Sequence, residues 1–145
     1  MEYLTQEGKL VSFSSFDREE EKAHMLSLEG NHKATEAIQE MVLKGKRAEF
    51  GPNHLATAYS MALLGEEKLA LGKLDEAEPL FKDALKIRVE NRDKVRGIHI
   101  VETRDSLAQI CEGRGDLKGA RKWRMDGAPD EMCCGHNRVS ISLAL

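Results

Sequence analysis

The sequence predicts an all-α chain, a solenoid of three helical hairpins with irregular flanks at both ends. Three observations carry that expectation. Between Leu74 and Ile87, the residues Ala77, Leu80, Phe81, Ala84 and Leu85 recur at the spacing of one helical stripe. The stretch Leu64–Ala77 lines up with Leu107–Ala120 at a constant offset of 43, pairing Leu64 with Leu107, Gly65 with Ala108, Gly72 with Gly115, Leu74 with Leu117 and Ala77 with Ala120. Finally, Gly30, Gly51 and Gly72 stand 21 residues apart, a spacing suited to successive helix junctions.

The middle hairpin is the clearest. Ala58, Met61, Ala62, Gly65 and Leu69 share a helix face, Asn53 after Gly51-Pro52 is a candidate start, and Gly72 ends that helix. The next helix opens on Asp75 with Glu78 three residues on, which reads as a capping pair, and Pro79 is expected in its first turn. Residues 53–91 therefore read as two antiparallel helices joined by a tight turn. The stretch around Ala23–Val42 is a fainter copy, with Gly30 standing 42 before Gly72 and Ala23 standing 42 before Gly65. A hairpin with one apolar face cannot bury it alone, and stacking makes the core continuous.

These residues carry a resemblance to the tetratricopeptide repeat (TPR) family: Met61, Leu64, Gly65, Ala77, Phe81 and Ala84 in the second hairpin, and Leu107, Ala108, Gly115, Ala120 and Trp123 in the third. The stretch Gly51–Ile87 looks much like the 42-residue kinesin-light-chain variety of that repeat. The pattern departs in the first hairpin, where Thr35 and Gln39 replace small and aromatic residues, and in the third, where Arg104 and Arg124 replace apolar ones. The resemblance divides the chain into an N-terminal flank (1–14), a three-repeat domain (15–127) and a C-terminal tail (128–145). In the tail, Val139, Ile141, Leu143 and Leu145 alternate in a strand-like way, as Val11 and Phe13 do in the N-terminal flank. The flanks either cover the two ends of the stack, pair with each other, or pair with a second subunit. Without a capping helix the repeat ends stay bare, and homo-oligomerisation through them is expected.

The resemblance implies that the first helix of each pair lines a concave groove. Transferred position by position, that groove holds Asp17, Glu20, Glu21 and His24, then Tyr59, Ala62, Leu63, Glu66 and Leu69, then Glu102, Asp105, Ser106, Gln109 and Glu112. The set contains acids but no Lys or Arg. A well-understood subclass of the family clamps a C-terminal carboxylate with Lys, Asn and Arg. The positions corresponding to that clamp are Glu20, His24, Leu63, Glu102 and Ser106, which would repel such a tail. The function expected is thus protein–protein interaction, with a basic or neutral peptide or helix in the groove. The competing reading is a solvated acidic face neutralised by nearby Lys and Arg. A second class of function is a small enzyme or small-molecule binder, with Glu20, His24, Glu66 and Asp105 as acid–base groups of an isomerase or cyclase. The leaning is toward a non-enzyme.

Composition narrows the field. A chain of 145 residues suggests one domain, and 5% aromatics leaves its core to Leu, Ala, Met, Ile and Val. A net charge of −3 without basic blocks argues against nucleic acid and anionic membranes. The apolar runs are too short to span a bilayer, and the first residues lack a secretory pattern. Cys111, Cys133 and Cys134 form no disulfide framework, which points to a reducing, cytoplasmic setting. Cys133, Cys134 and His136 are the one soft-ligand cluster, but they lack the C-x-x-C spacing of a structural zinc site, so no metal is expected. With no phosphate loop, nucleophile elbow or dinucleotide fingerprint, no cofactor is expected either. Cys111 and Trp123 read as core, and His32, His54, His99 and His136 as solvated.

Overall fold

A computed structural model describes residues 2–4, 10–12 and 16–125. Six helices follow in order: α1 (Asp17–Leu28), α2 (His32–Phe50), α3 (Leu55–Ala70), α4 (Leu74–Glu90), α5 (Gly97–Gly113) and α6 (Leu117–Met125). They pair as three hairpins, and each pair packs on the next through α2 against α3 and α4 against α5. The architecture is the expected all-α solenoid. Ahead of it, β1 (Glu2–Leu4) and β2 (Leu10–Ser12) form a short antiparallel pair with Tyr3 opposite Val11. The strand-like N-terminal flank thus pairs with itself. The C-terminal tail lies outside the described residues.

Each hairpin turns on a glycine. Gly30, Gly72 and Gly115 have φ of 81°, 77° and 79°, a left-handed backbone that costs a Cβ-bearing residue energy. The turns are hydrogen-bonded alike, with the amides of Asn31, Lys73 and Asp116 donating back to the carbonyls of Leu26, Lys68 and Cys111. The same local chemistry therefore recurs three times along the chain.

The core runs through the stack in two parts. One joins Leu43 of α2 to Ala58, Met61, Ala62 and Leu64 of α3 and to Leu80, Ala84 and Ile87 of α4. The other joins Ala77, Phe81 and Leu85 of α4 to Leu107, Ala108 and Ile110 of α5 and to Ala120 and Trp123 of α6. Small residues set the approach distance. A Cβ at Gly65 would lie 2.8 Å from Phe81 Cζ, so the aromatic ring of α4 occupies the space that glycine leaves in α3. Burying a side chain such as Phe81 contributes about 1.5–3 kcal/mol. Cys111 is partly buried against this core, and burial pushes its thiol pKa up.

Several local expectations need correction. α3 starts after His54, not Asn53, because the His54 Nδ1 accepts the Ala56 N–H at 3.0 Å and so caps the helix. That ring also stacks on Phe50 at 5.0 Å between centroids. His54 is therefore half-buried rather than solvated, and desolvation lowers its pKa. Asp75 and Glu78 do not cap α4: the helix already begins at Leu74, and both carboxylates bind Arg114, just beyond α5, at 2.6 and 2.5 Å. With that start, Pro79 falls in the second turn, where it withholds an N–H from the Asp75 carbonyl without ending the helix. His32 is likewise partnered, its Nδ1 lying 2.7 Å from Glu67 Oε2, while Ser27 donates to the other oxygen of that carboxylate at 2.8 Å.

Charge ties the first two hairpins together. Lys68 is 8% exposed and donates to Glu36, Glu40 and Glu76 at 3.2, 3.1 and 2.8 Å. Lys73 adds contacts of 2.8 and 2.9 Å to the buried Glu36. The hydrogen bond from Lys73 holds the Glu36 carboxyl below its usual range, against the opposing effect of burial.

Candidate functional site

The residues expected in the groove fall into three groups along the stack. Between α1 and α3, Glu20 pairs with Lys46 of α2, a side chain only 1% exposed. The same Lys46 ammonium lies 5.3 Å from the Tyr59 ring and 5.9 Å from the Phe16 ring, placing a cation behind the aromatic wall. Asp17, Glu21 and His24 are exposed on α1, and Glu20 turns to Lys46 rather than to His24.

Between α3 and α5 lies a cleft of about 130 Å³. Tyr59, Ala62, Leu63 and Glu66 form one wall, and His99, Glu102, Thr103 and Ser106 form the other. Phe81 and Arg88 of α4 complete the lining. Arg88 is 8% exposed, and its Nη1 donates to Thr103 Oγ1 at 2.5 Å and to the His99 carbonyl at 3.1 Å. The Thr103 hydroxyl in turn donates to the His99 carbonyl at 2.6 Å, which fixes the angle at which Arg88 enters. Ser106 Oγ donates to the Glu102 carbonyl at 3.0 Å, and the His99 ring lies 3.4 Å from the Glu102 carboxylate.

The electrostatics of this cleft are mixed. Loss of water raises the Glu66 pKa; Arg88 opposes that, while Glu102 and Glu67 add to it. Tyr59 is raised by desolvation first, then by Glu20 and Glu66. Burial lowers Arg88, and Glu102 and Glu66 pull it back up; the guanidinium remains charged.

At the far end, Arg124 of α6 reaches Asp105 at 2.9 Å and also binds Glu112. Gln109 donates to Asp105 at 2.9 Å. The Arg124 hydrogen bond lowers the pKa of both acids. Leu69 packs against the core around Phe81 and Trp123.

The cleft therefore brings together Tyr59, Ala62, Leu63, Glu66, Glu102 and Ser106 of the expected set. Glu20, His24 and Asp105, grouped with Glu66 as candidate acid–base residues, do not line it. Cys133, Cys134 and His136 lie outside the described residues. Sequence reasoning missed the cations supplied by second helices. Lys46 and Arg88 stand 42 residues apart, the repeat spacing itself, and that coincidence was the available signal.

Stacked helical hairpins with a cleft between the first helices of two of them define a helical-repeat scaffold protein. The family model for the tetratricopeptide repeat matches residues 19–88, which span α1 through most of α4. The third hairpin repeats the same turn and packing, and the match supports a tetratricopeptide-repeat protein, built on repeats that generally mediate protein–protein interaction. No curated protein matches the chain closely. Among the described residues, no helix is long and apolar enough to cross a membrane.

Proposed function

We propose that the concave face takes a peptide or helix from a protein partner, neutral or basic in charge and not a carboxylate tail. The observation that supports this most is the α3–α5 cleft, where Glu66 and Glu102 flank the opening and the one cation, Arg88, is held at 8% exposure from behind. An incoming carboxylate meets two like charges first, which disfavours it on approach and at contact. The cations on Glu20, Asp105 and Glu112 leave Glu66 and Glu102 as the acids of the middle of the face.

Displayed random dodecapeptides test this reading. Bound sequences are expected to carry zero or positive net charge, to weaken with salt, and to be lost in the Glu66→Lys/Glu102→Lys double variant while helicity by circular dichroism is kept. Anionic binders, or binding indifferent to the double charge reversal, would sink it.

The same reading includes self-association and a cytoplasmic setting. Met25, Leu28 and Met41 on the first hairpin, and Ile98, Val101, Leu117 and Met125 on the third, are each more than half exposed, so both outer hairpins carry apolar surface available to a second copy. Sedimentation velocity should show mass rising with concentration, and a monomer throughout would remove this part.

A further inference from the structure

Arg88 is a buried cation held by hydrogen bonds in the lining of the α3–α5 cleft. Nη1 is committed to Thr103 and to the His99 carbonyl, while among the described residues Nε and Nη2 have no hydrogen-bond partner. Among the described residues no carboxylate lies within ion-pair distance of it, although Glu66 and Glu102 are near enough to bias the guanidinium. A buried cation with unused donors thus looks into a cleft whose two walls carry the Glu66 and Glu102 carboxylates, the latter with His99 at 3.4 Å on one oxygen. When a partner covers the cleft and water leaves, each of these groups needs a complement or it weakens the complex.

That requirement selects among side-chain head groups. A carboxylate satisfies Arg88 and leaves Glu66 and Glu102 facing a third negative charge. An ammonium or guanidinium satisfies the two acids and leaves Arg88 without an acceptor, beside another cation. A hydroxyl has one donor for two walls. A primary carboxamide has a carbonyl oxygen with two lone pairs and two N–H donors, fixed in one plane on opposite sides of a carbon. Its oxygen faces Arg88 and its nitrogen faces Glu66 and Glu102. A cleft of about 130 Å³ has room for one such head group, and Leu63, Ala62 and Phe81 supply apolar contact for its methylenes.

We infer that the Arg88 cleft is a subsite for a primary carboxamide, the side chain of an Asn or Gln on the bound peptide. This rests on the peptide-groove reading above and names the chemistry of one position within it.

The test uses internally randomised dodecapeptides displayed as fusions, so that no free terminal amide is present, panned against the full chain. Asn or Gln should be enriched about tenfold at one aligned position, the discrimination expected when a competitor leaves a buried polar group unpaired. Arg88→Met should reduce that enrichment to background while preferences at other positions persist. A second variant, Glu66→Gln/Glu102→Gln, alters two exposed side chains and leaves the core alone. With the repelling charges gone and Arg88 kept, Asp and Glu should replace Asn and Gln at that position.

Enrichment of Asp or Glu in the unaltered protein overturns the inference. So does enrichment of Lys or Arg there, or an Asn/Gln preference indifferent to both variants. Binding that depends on the groove yet ignores residue identity at every position shows recognition of peptide backbone: the inference then fails and the groove reading survives. If no displayed sequence is retained, the groove reading fails and the inference falls with it.

Discussion

Lys46 and Arg88 occupy the same place in successive repeats, yet one junction is closed and the other is open. Each is a cation on a second helix, each is 8% exposed or less, and each sits behind the first helices of two neighbouring hairpins. At the first junction, Glu20 reaches in to pair with Lys46, and the Phe16 and Tyr59 rings flank it. At the second, the position that Glu20 holds in α1 is held by Ala62 in α3, which is too short to reach Arg88. Arg88 binds a hydroxyl and a carbonyl instead and keeps donors unused. Loss of the acid at the Glu20 position therefore goes with the change from an internal ion pair to a site with spare hydrogen-bonding capacity. The lesson concerns repeat proteins generally: the scaffold fixes where a polar group is held, and the neighbouring repeat position decides whether it is consumed by the fold or left for a partner.

The largest expected effect comes from breaking the closed junction. Glu20→Gln removes the carboxylate from a lysine 1% exposed and should destabilise the chain by about 2–4 kcal/mol, read as a lower denaturant midpoint at unchanged m. Adding Lys46→Met to Glu20→Gln should restore most of that loss, because a methionine fills the volume without a charge to desolvate. A cycle in which the two substitutions simply add would mean that the pair does not hold this junction.

Arg88→Met should cost less, about 1–2 kcal/mol, since it removes two hydrogen bonds but no ion pair. Thr103 keeps its bond to the His99 carbonyl, so the truncation leaves no orphaned hydroxyl. An Arg88→Met loss as large as that of Glu20→Gln would show that the two junctions are equivalent, and the contrast between them would disappear.

How much of this was readable in advance follows the range of the interactions involved. The turns at Gly30, Gly72 and Gly115 depend on local backbone conformation, which the residue itself dictates, and the Phe81–Gly65 fit follows from the facing helical stripes of the two helices of one hairpin. Asp75 and Glu78 show the limit. Their spacing matches a capping pair, but a distant guanidinium, Arg114, competes for both carboxylates and wins. The cations behind the groove were missed because the repeat pattern assigns the concave face to first helices alone. A long Lys or Arg side chain crosses that division by burying its stem and delivering its head to the other side. The acids of the face are legible as residues, whereas the cations that pair with Glu20, Asp105 and Glu112 in the folded chain, Lys46 and Arg124, stand well apart from them in sequence.

The smallest and sharpest measurement is the pH dependence that Glu66 imposes on stability. Desolvation raises its pKa above 4.5, so the folded chain holds this proton to higher pH than the unfolded chain does. Stability attributable to Glu66 is therefore unaffected below about pH 4.5, falls as pH rises from there through the folded value, and stays constant above it. Glu66→Gln removes the ionisation, so the variant should gain on the unaltered protein across that window and hold the gain at neutral pH. With the carboxyl reached by solvent, the gain should stay under about 1 kcal/mol. Arg88 is the group that opposes the shift, so Arg88→Met should raise the Glu66 pKa further, as read from the pH titration of its side-chain carboxyl carbon by NMR. An unchanged Glu66 titration in Arg88→Met would mean that the guanidinium does not reach the cleft electrostatically. The open junction would then be a lone acid beside a structural arginine, without the paired donor and acceptors on which its proposed ligand depends.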